Sequence, residues 1–394
     1  MHGAARMRIL HVIPTYLPAV RYGGPIFATH SLCRALVSRG HDIEVFTTNL
    51  NGAGHSPVPV GAPTLMDGVR VRYFSSRFLE RLSWAPAMGH AFRSEIVGFD
   101  LVHLHSVFLW PTWQAARTAE KVRIPYLVSP RGMLVRKLLE QRSPLVKSVW
   151  ISLIEKKNLE RASAVHVTSD LEAVELRSFA WRFPRIATIP NGVDESEYYA
   201  RNAISADVAE LTTEHPLILF LGRMSWKKGL DRLLEAFART NTGKLAVVGP
   251  DDENLMPRLV QLARGLQIID RVRFLPRAVL GCDKEHLYRA AQVFVLPSYS
   301  ENFGNTVLEA MHRSVPVVVT PEVGAAEIVR RSGAGIVARG EPECLAAAIQ
   351  RLLKRPDLAR SMGQIGRRHT MEHYGWNTIA ARMEDLYATI LTKS

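Results

Sequence analysis

Cysteine is scarce in this chain: among 394 residues there are three, Cys33, Cys282 and Cys344, widely spaced and without a Cys-x-x-Cys pair or a Cys/His cluster. That spacing supports neither a disulfide framework nor a structural zinc site. Long apolar runs are missing as well, since stretches such as 315–319 fall far below the roughly 20 residues a membrane-spanning helix needs. The apolar stretch at 9–13 is ended by Pro14, too early for a signal peptide, so a cytosolic location is expected. No Gly-x-Gly-x-x-Gly follows the first candidate strand and no Gly-x4-Gly-Lys-Ser/Thr occurs, which argues against a dinucleotide-dependent dehydrogenase and a P-loop nucleotidase. Acidic residues are the minority, 37 against 50 Lys and Arg, and the net charge of +13 implies attraction to something anionic: nucleic acid, an acidic membrane face or phosphorylated small molecules.

What is present is ordinary globular composition, 47% hydrophobic and 22% charged, in a chain too long for one domain of roughly 100 to 200 residues. Short β-branched runs ending in turn residues alternate with amphipathic stretches. That pattern belongs to parallel sheets covered by helices. Strands are expected at 8–13, 42–48, 69–73, 100–105, 125–129, 164–168 and 186–189, and again at 217–221, 245–248, 272–275, 293–296 and 315–319. The turn-rich run Pro190, Asn191, Gly192, Val193, Asp194 and the weakly patterned stretch after it mark a hinge. The expected fold class is therefore α/β, with an acceptor-side domain over 1–195, a linker over 196–215 and a second domain over 216–372. A last helix, 376–391, is free to pack back on either. Two doubly wound sheets of this kind would face each other across a cleft, because such sheets bind ligands beyond the carboxyl ends of their strands.

Two segments of the second half carry chemistry. After the strand at 293–296, Pro297 leads through Glu301, Asn302, Phe303, Gly304 and Asn305 into a helix, with Glu301 in the loop and Glu309 about one turn or more into the helix. A helix N-terminus favours an anion, and carboxylates at Glu301 and Glu309 are spaced to reach different parts of one extended ligand. The plain alternative is that Glu301 caps the helix and Glu309 is a solvated face residue. The strand at 217–221 ends in Gly222 and Arg223, with Lys228 and Gly229 opening the next helix. Two cations at a strand-to-helix turn are suited to a diphosphate, although solvated charge is the bland reading. In the first half, Gly23 and Gly24 precede a helix, where absent side chains would let a phosphate approach the backbone.

Taken in order, Gly23-Gly24, Arg39-Gly-His-Asp-Ile-Glu-Val45, the hinge, Gly222-Arg223 with Lys228-Gly229, Gly249-Pro-Asp-Asp, and Glu301-x7-Glu309 make the chain resemble the retaining glycosyltransferases of family 4 over nearly its whole length. The resemblance implies the GT-B fold, two Rossmann-like domains facing a central cleft. It also implies a sugar moved from a nucleotide-sugar donor to a glycan or lipid-linked saccharide acceptor, with no cofactor, no metal and no nucleic-acid partner. On it, Arg223 and Lys228 would bind the diphosphate, Glu309 the ribose, and Glu301 the transferred sugar. Gly23, Gly24 and the backbone of Phe303, Gly304 and Asn305 would complete the donor pocket. Many members carry a histidine where this chain reads Ser129, Pro130, Arg131, Gly132, a version that resembles bacterial polysaccharide-assembly transferases. Arg131 cannot act as a base at neutral pH but could hold an anion, and His105 is a second cleft candidate that could equally be structural. The alternatives are a soluble sucrose- or glycogen-synthase-like transferase and a non-catalytic basic binding protein of the same fold.

The surplus charge is uneven. Residues 117–161 hold 11 basic against four acidic side chains, interleaved with apolar ones. That mixture suits an anionic membrane surface, with Arg136, Lys137, Arg142 and Lys147 as its candidate contacts, so peripheral attachment at the inner face of the plasma membrane is expected.

Overall fold

The computed structural model describes residues 6–20, 23–52, 54–135, 150, 154–194, 204–213 and 216–393. They divide into two compact units, Met1–Gly192 with Trp376–Ser394, and Val193–Gly375. The four basic residues Arg136, Lys137, Arg142 and Lys147 lie outside the described residues.

The first unit runs through β1 (Arg8–Thr15), β2 (Asp42–Thr48), the small hairpin β3 (Leu50–Asn51) and β4 (Gly54–His55), β5 (Pro63–Met66), β6 (Val69–Phe74), β7 (Leu101–His105), β8 (Tyr126–Ser129), β9 (Ala164–Val167) and β10 (Ile186–Thr188). Eight of these form one sheet in the order β10-β9-β8-β7-β1-β2-β6-β5, parallel throughout except for the antiparallel edge strand β5. Ile9, Leu10 and Val12 of β1 are all fully buried, as expected of a strand covered on both faces. The helix Trp376–Leu391 packs on the helix Gly24–Ser38. Glu384 takes the guanidinium Nε of Arg39 at 2.6 Å, and Trp376 sits against Gly192 so closely that a Cβ there would overlap the indole.

The second unit contains β11 (Leu217–Leu221), β12 (Lys244–Val248), β13 (Val272–Leu275), β14 (Ala291–Leu296), β15 (Val317–Val319) and β16 (Gly335–Val337), in one sheet ordered β13-β12-β11-β14-β15-β16. All of its ladders are parallel. Every residue of β11 is buried, and the helix Leu230–Ala238 covers the sheet with Leu230, Leu233, Leu234 and Phe237. Each such side chain contributes about 1.5–3 kcal/mol of burial. The unit begins and ends at a parallel bridge from Val193 to Gly375, where the Val193 N–H donates to the Tyr374 carbonyl at 2.8 Å.

The sheet of the second unit follows the 3-2-1-4-5-6 order of a dinucleotide-binding sheet, and the first has the same order around β1. The strand order reverses between β1 and β7 in one unit and between β11 and β14 in the other. Crevices form at such reversals, so they are where ligand-binding loops are to be sought.

Part of the stretch read from the sequence as a linker instead folds with the second unit. Residues 206–211 form a helix, and Asp283 accepts from the Ser205 amide at 2.9 Å and its hydroxyl at 2.7 Å. Among the described residues no helix is long and apolar enough to cross a membrane.

Candidate active site

In the second unit the loops after β11 and β14 lie side by side at the strand-order reversal. Gly222 leaves β11 and Gly249 leaves β12 with a left-handed φ of 140°, its α-carbon pressed against the Gly222 carbonyl where a Cβ would collide. The chain then turns through exposed Arg223, which makes no ion pair with any described residue, to Lys228. Gly229, at φ 65°, packs on the carbonyl of Pro297 with no room for a side chain. Buried Arg232 fixes the two loops together: its Nε donates to the Pro297 carbonyl at 2.6 Å and its Nη2 to the Ser298 carbonyl at 2.5 Å. The Tyr299 amide donates back to the Lys227 carbonyl at 2.7 Å. Held in this way, the Lys228 ammonium and the Glu301 carboxylate form an ion pair, each side chain 18% exposed.

Glu301 to Phe303 is backed by a second loop. The Glu301 amide donates to the Glu322 carbonyl at 3.0 Å, Gly324 to the Glu301 carbonyl at 2.9 Å, and Ala325 to the Phe303 carbonyl at 2.7 Å. Phe303 is buried, and Gly304, at φ 94°, turns the chain into the helix Asn305–His312. A left-handed N-cap of this kind favours glycine. Glu309 lies in the second turn. Its Oε1 receives Lys284 Nζ at 2.7 Å and its Oε2 the Tyr288 hydroxyl at 2.8 Å. Burial pushes the Glu309 carboxyl up, but Lys284, Tyr288 and Arg313 outweigh it and hold the group below its ordinary value. Glu309 is thus not a solvated helix-face residue, and the cap is Gly304 with no side-chain bond from Glu301.

In the first unit, Gly23 at φ 67° caps the helix that starts at Gly24. The β7 and β8 ends hold a chain of buried polar groups. Arg131, in the left-handed region at φ 56°, donates from Nη1 to Asn191 Oδ1 at 3.0 Å and from Nη2 to His105 Nδ1 at 3.0 Å. His105 Nε2 pairs with His11 Nδ1 at 3.0 Å. His103 bonds the Tyr387 hydroxyl through Nδ1 and Ser129 Oγ through Nε2, both at 2.7 Å, and Ser129 Oγ reaches His166 Nδ1 at 2.7 Å. All four histidines are buried, so burial, with Arg131 adding to it, pulls His11 and His166 down to about 3, and His103 and His105 also fall well below 6.5. His11, His103 and His105 bring ring nitrogens within 4.8 Å of one another, as a metal site would. Both nitrogens of His103 and of His105 are already committed, however, and the Arg131 cation is bonded to His105, so the donor set does not fit a cation. His105, with no ring nitrogen left for a substrate, has the surroundings of a structural histidine.

Two family models match the chain, Glycosyl transferase 4-like domain over residues 23–192 and Glycosyl transferases group 1 over residues 204–369. D-inositol 3-phosphate glycosyltransferase 2 of Catenulispora acidiphila is 30% identical over 96% of this chain and 93% of its own length. The chain belongs to the family 4 glycosyltransferases. Sucrose-phosphate synthase from Thermosynechococcus elongatus, 26% identical, superposes with a TM-score of 0.76 over 99% of this glycosyltransferase and 100% of that chain. HepE of Anabaena in complex with UDP and glucose, 20% identical, superposes at 0.75 over 98% and 100% and shows the shared GT-B fold.

Of the residues singled out in the sequence, Arg223, Lys228, Glu301, Phe303, Gly304, Asn305 and Glu309 of this glycosyltransferase belong to the second unit, and Gly23, Gly24, His105 and Arg131 to the first. Lys228 meets Glu301, and Arg131 meets His105. Lys284, Tyr288 and Arg232 escaped the sequence reading. Lys284 and Tyr288 stand four apart on one helix face, but nothing in that spacing names Glu309 as their partner.

Proposed function

We propose that this glycosyltransferase takes its sugar from a nucleotide-sugar, keeps the anomeric configuration, and transfers it to a glycan or lipid-linked saccharide in cell-surface polysaccharide synthesis. The observation that supports this reading is the meeting of Lys228 with Glu301 beside Arg223 at the strand-order reversal, with Glu309 in the second turn of the helix that follows. The diphosphate is held by Arg223 and Lys228, the sugar by Glu301, the ribose by Glu309, and the backbone at Phe303, Gly304 and Asn305 lines the remainder. As the bond from the sugar's anomeric carbon to the phosphate oxygen breaks, negative charge grows on the departing diphosphate, and the two fixed cations stabilise it. The acceptor hydroxyl attacks the same face, forms the new glycosidic bond and gives its proton to the leaving phosphate oxygen. No carboxylate nucleophile enters this path.

Arg223 and Lys228 supply the positive charge the leaving group requires, so transfer is expected to persist in excess chelator. Incubating the protein with a panel of nucleotide-sugars and acceptors, D-inositol 3-phosphate among them, and determining product stereochemistry by NMR tests the reading. Turnover of no donor, or an inverted product, would defeat it. The proposal also places the protein at an anionic membrane surface, for which the basic surplus over 117–161 is the support. Co-sedimentation with anionic but not neutral vesicles, reduced by salt, is the expected result.

A further inference from the structure

We propose that Lys284, assisted by Tyr288, is a positioning residue that fixes Glu309 as an ionised acceptor with two lone pairs left for the two hydroxyls of a ribose. The inference rests on the reading that Glu309 receives the ribose of the donor. A carboxylate offers about four acceptor positions on its two oxygens. In this structure one on Oε1 is taken by Lys284 Nζ at 2.7 Å and one on Oε2 by the Tyr288 hydroxyl at 2.8 Å. One position per oxygen remains, which is the demand of a vicinal diol whose hydroxyls each donate once. Neither partner can swing away easily. Tyr288 is fully buried, and Lys284 lies one turn before it on the helix Gly281–Ala290, with its side chain 27% exposed.

Among the described residues, three ionisable side chains act on Glu309. Lys284 and Tyr288 approach from the helix Gly281–Ala290. Arg313, just past the end of Glu309's own helix, donates to the Glu309 backbone carbonyl at 3.1 Å. The guanidinium of Arg313 is itself claimed by Glu285 at 2.5 Å, and Glu285 also receives Arg289 at 2.9 Å. Glu285 draws the Arg313 guanidinium aside, and Arg313 reaches only the backbone carbonyl of Glu309, which makes Lys284 the cation bonded to the Glu309 carboxylate itself and the larger offset to its burial. Without it, the burial that opposes the charged form is offset less, and the carboxyl rises. A protonated Glu309 keeps fewer acceptor positions and offers a donor in the wrong place.

The experiment compares binding of UDP, GDP and ADP, each with its 2′,3′-dideoxy counterpart, by calorimetry at about pH 8 and about pH 5.5, on either side of neutrality but above the ordinary carboxylate range. Wild-type protein should prefer the ribonucleotide at both values, and Glu309→Ala should abolish that preference. Lys284→Met should weaken ribonucleotide binding roughly tenfold or more, as expected for loss of a charged partner. It should leave dideoxynucleotide binding unchanged, and the ribonucleotide loss should deepen at the lower pH. Lys284→Arg should restore both the preference and the flat pH response, and Tyr288→Phe should weaken the preference without adding pH dependence. If Glu309→Ala keeps the preference, the ribose assignment itself is wrong. If Glu309→Ala loses it while Lys284→Met retains it at both pH values, the assignment stands and the role of Lys284 is overturned. A Lys284→Met protein that loses dideoxynucleotide binding equally would show a structural role only.

Discussion

Lys228 and Glu301 stand 73 residues apart in the chain and meet as a half-enclosed ion pair. In the proposed function one of them holds the diphosphate and the other the sugar, so the donor enters between two groups that already satisfy each other. Lys228 must then exchange part of its contact with Glu301 for the phosphate. That exchange becomes most favourable when the leaving group carries its full charge, which favours the transition state over the bound substrate.

Removing either cation tests this directly. Arg223→Ala and Lys228→Ala are each expected to lower transfer about a hundredfold, the roughly 3 kcal/mol typical of one lost stabilising group. The melting profile of Arg223→Ala should match wild type, because that side chain is exposed. Initial-rate measurements on the donor that supports turnover provide the check, and wild-type turnover in both variants would sink the assignment.

The two carboxylates should separate cleanly. Glu301→Gln releases Lys228 from its partner, so the free nucleoside diphosphate binds at least as tightly as in wild type while sugar transfer falls. Glu309→Ala weakens the nucleoside diphosphate itself. Parallel calorimetry on both variants distinguishes these outcomes from a shared loss of affinity.

Backbone placement is a third handle. Gly249→Ala puts a methyl group into the Gly222 carbonyl at a left-handed φ of 140°. Strain of this kind costs about 1–3 kcal/mol. The expected result is a lower melting temperature together with lost diphosphate affinity, since relief of the collision displaces Gly222 and Arg223. Unchanged values for both would mean the approach is looser than described.

Acid should weaken the first unit through its histidines. His11 and His166 titrate near 3 in the folded protein against 6.5 for an unperturbed histidine. The unfolded chain therefore binds protons first as pH falls below the ordinary value. Stability is fully present above about pH 6.5 and is lost as pH drops toward 3, by about 1.4 kcal/mol for each such histidine per pH unit. Thermal melts across that range give the slope. A His166→Asn variant should flatten it, and an unchanged slope would contradict the buried neutral state.

Much of the sheet architecture was legible because parallel strands buried on both faces read as continuous apolar runs. Leu217 to Leu221 is the clearest case, with all five residues buried. The edges were not. β5 is half exposed and pairs antiparallel, and β16 is three residues beginning at Gly335, whose α-hydrogen face is pressed on the Val317 carbonyl. Neither has an apolar signature long enough to stand out. At the site, Glu301 and Glu309 were visible from their spacing beside a helix start. Lys284 and Arg232 were not, because their importance comes from tertiary neighbours at Glu309 and Pro297.

The return of the helix Trp376–Leu391 to the first unit means that the second unit is nested inside the first as an insertion. A ribosome therefore releases the partners of Arg39 and His103, namely Glu384 and Tyr387, only after it has made the whole second unit. Joining them would require closing a very long loop if the intervening chain were unfolded, an entropic cost that grows with loop length. The bridge between Val193 and Gly375 removes most of that span, since once the insertion has folded its two ends lie together. The helix that completes the first sheet's unit thus follows the second unit in the chain, and a chain ended at Gly192 lacks it.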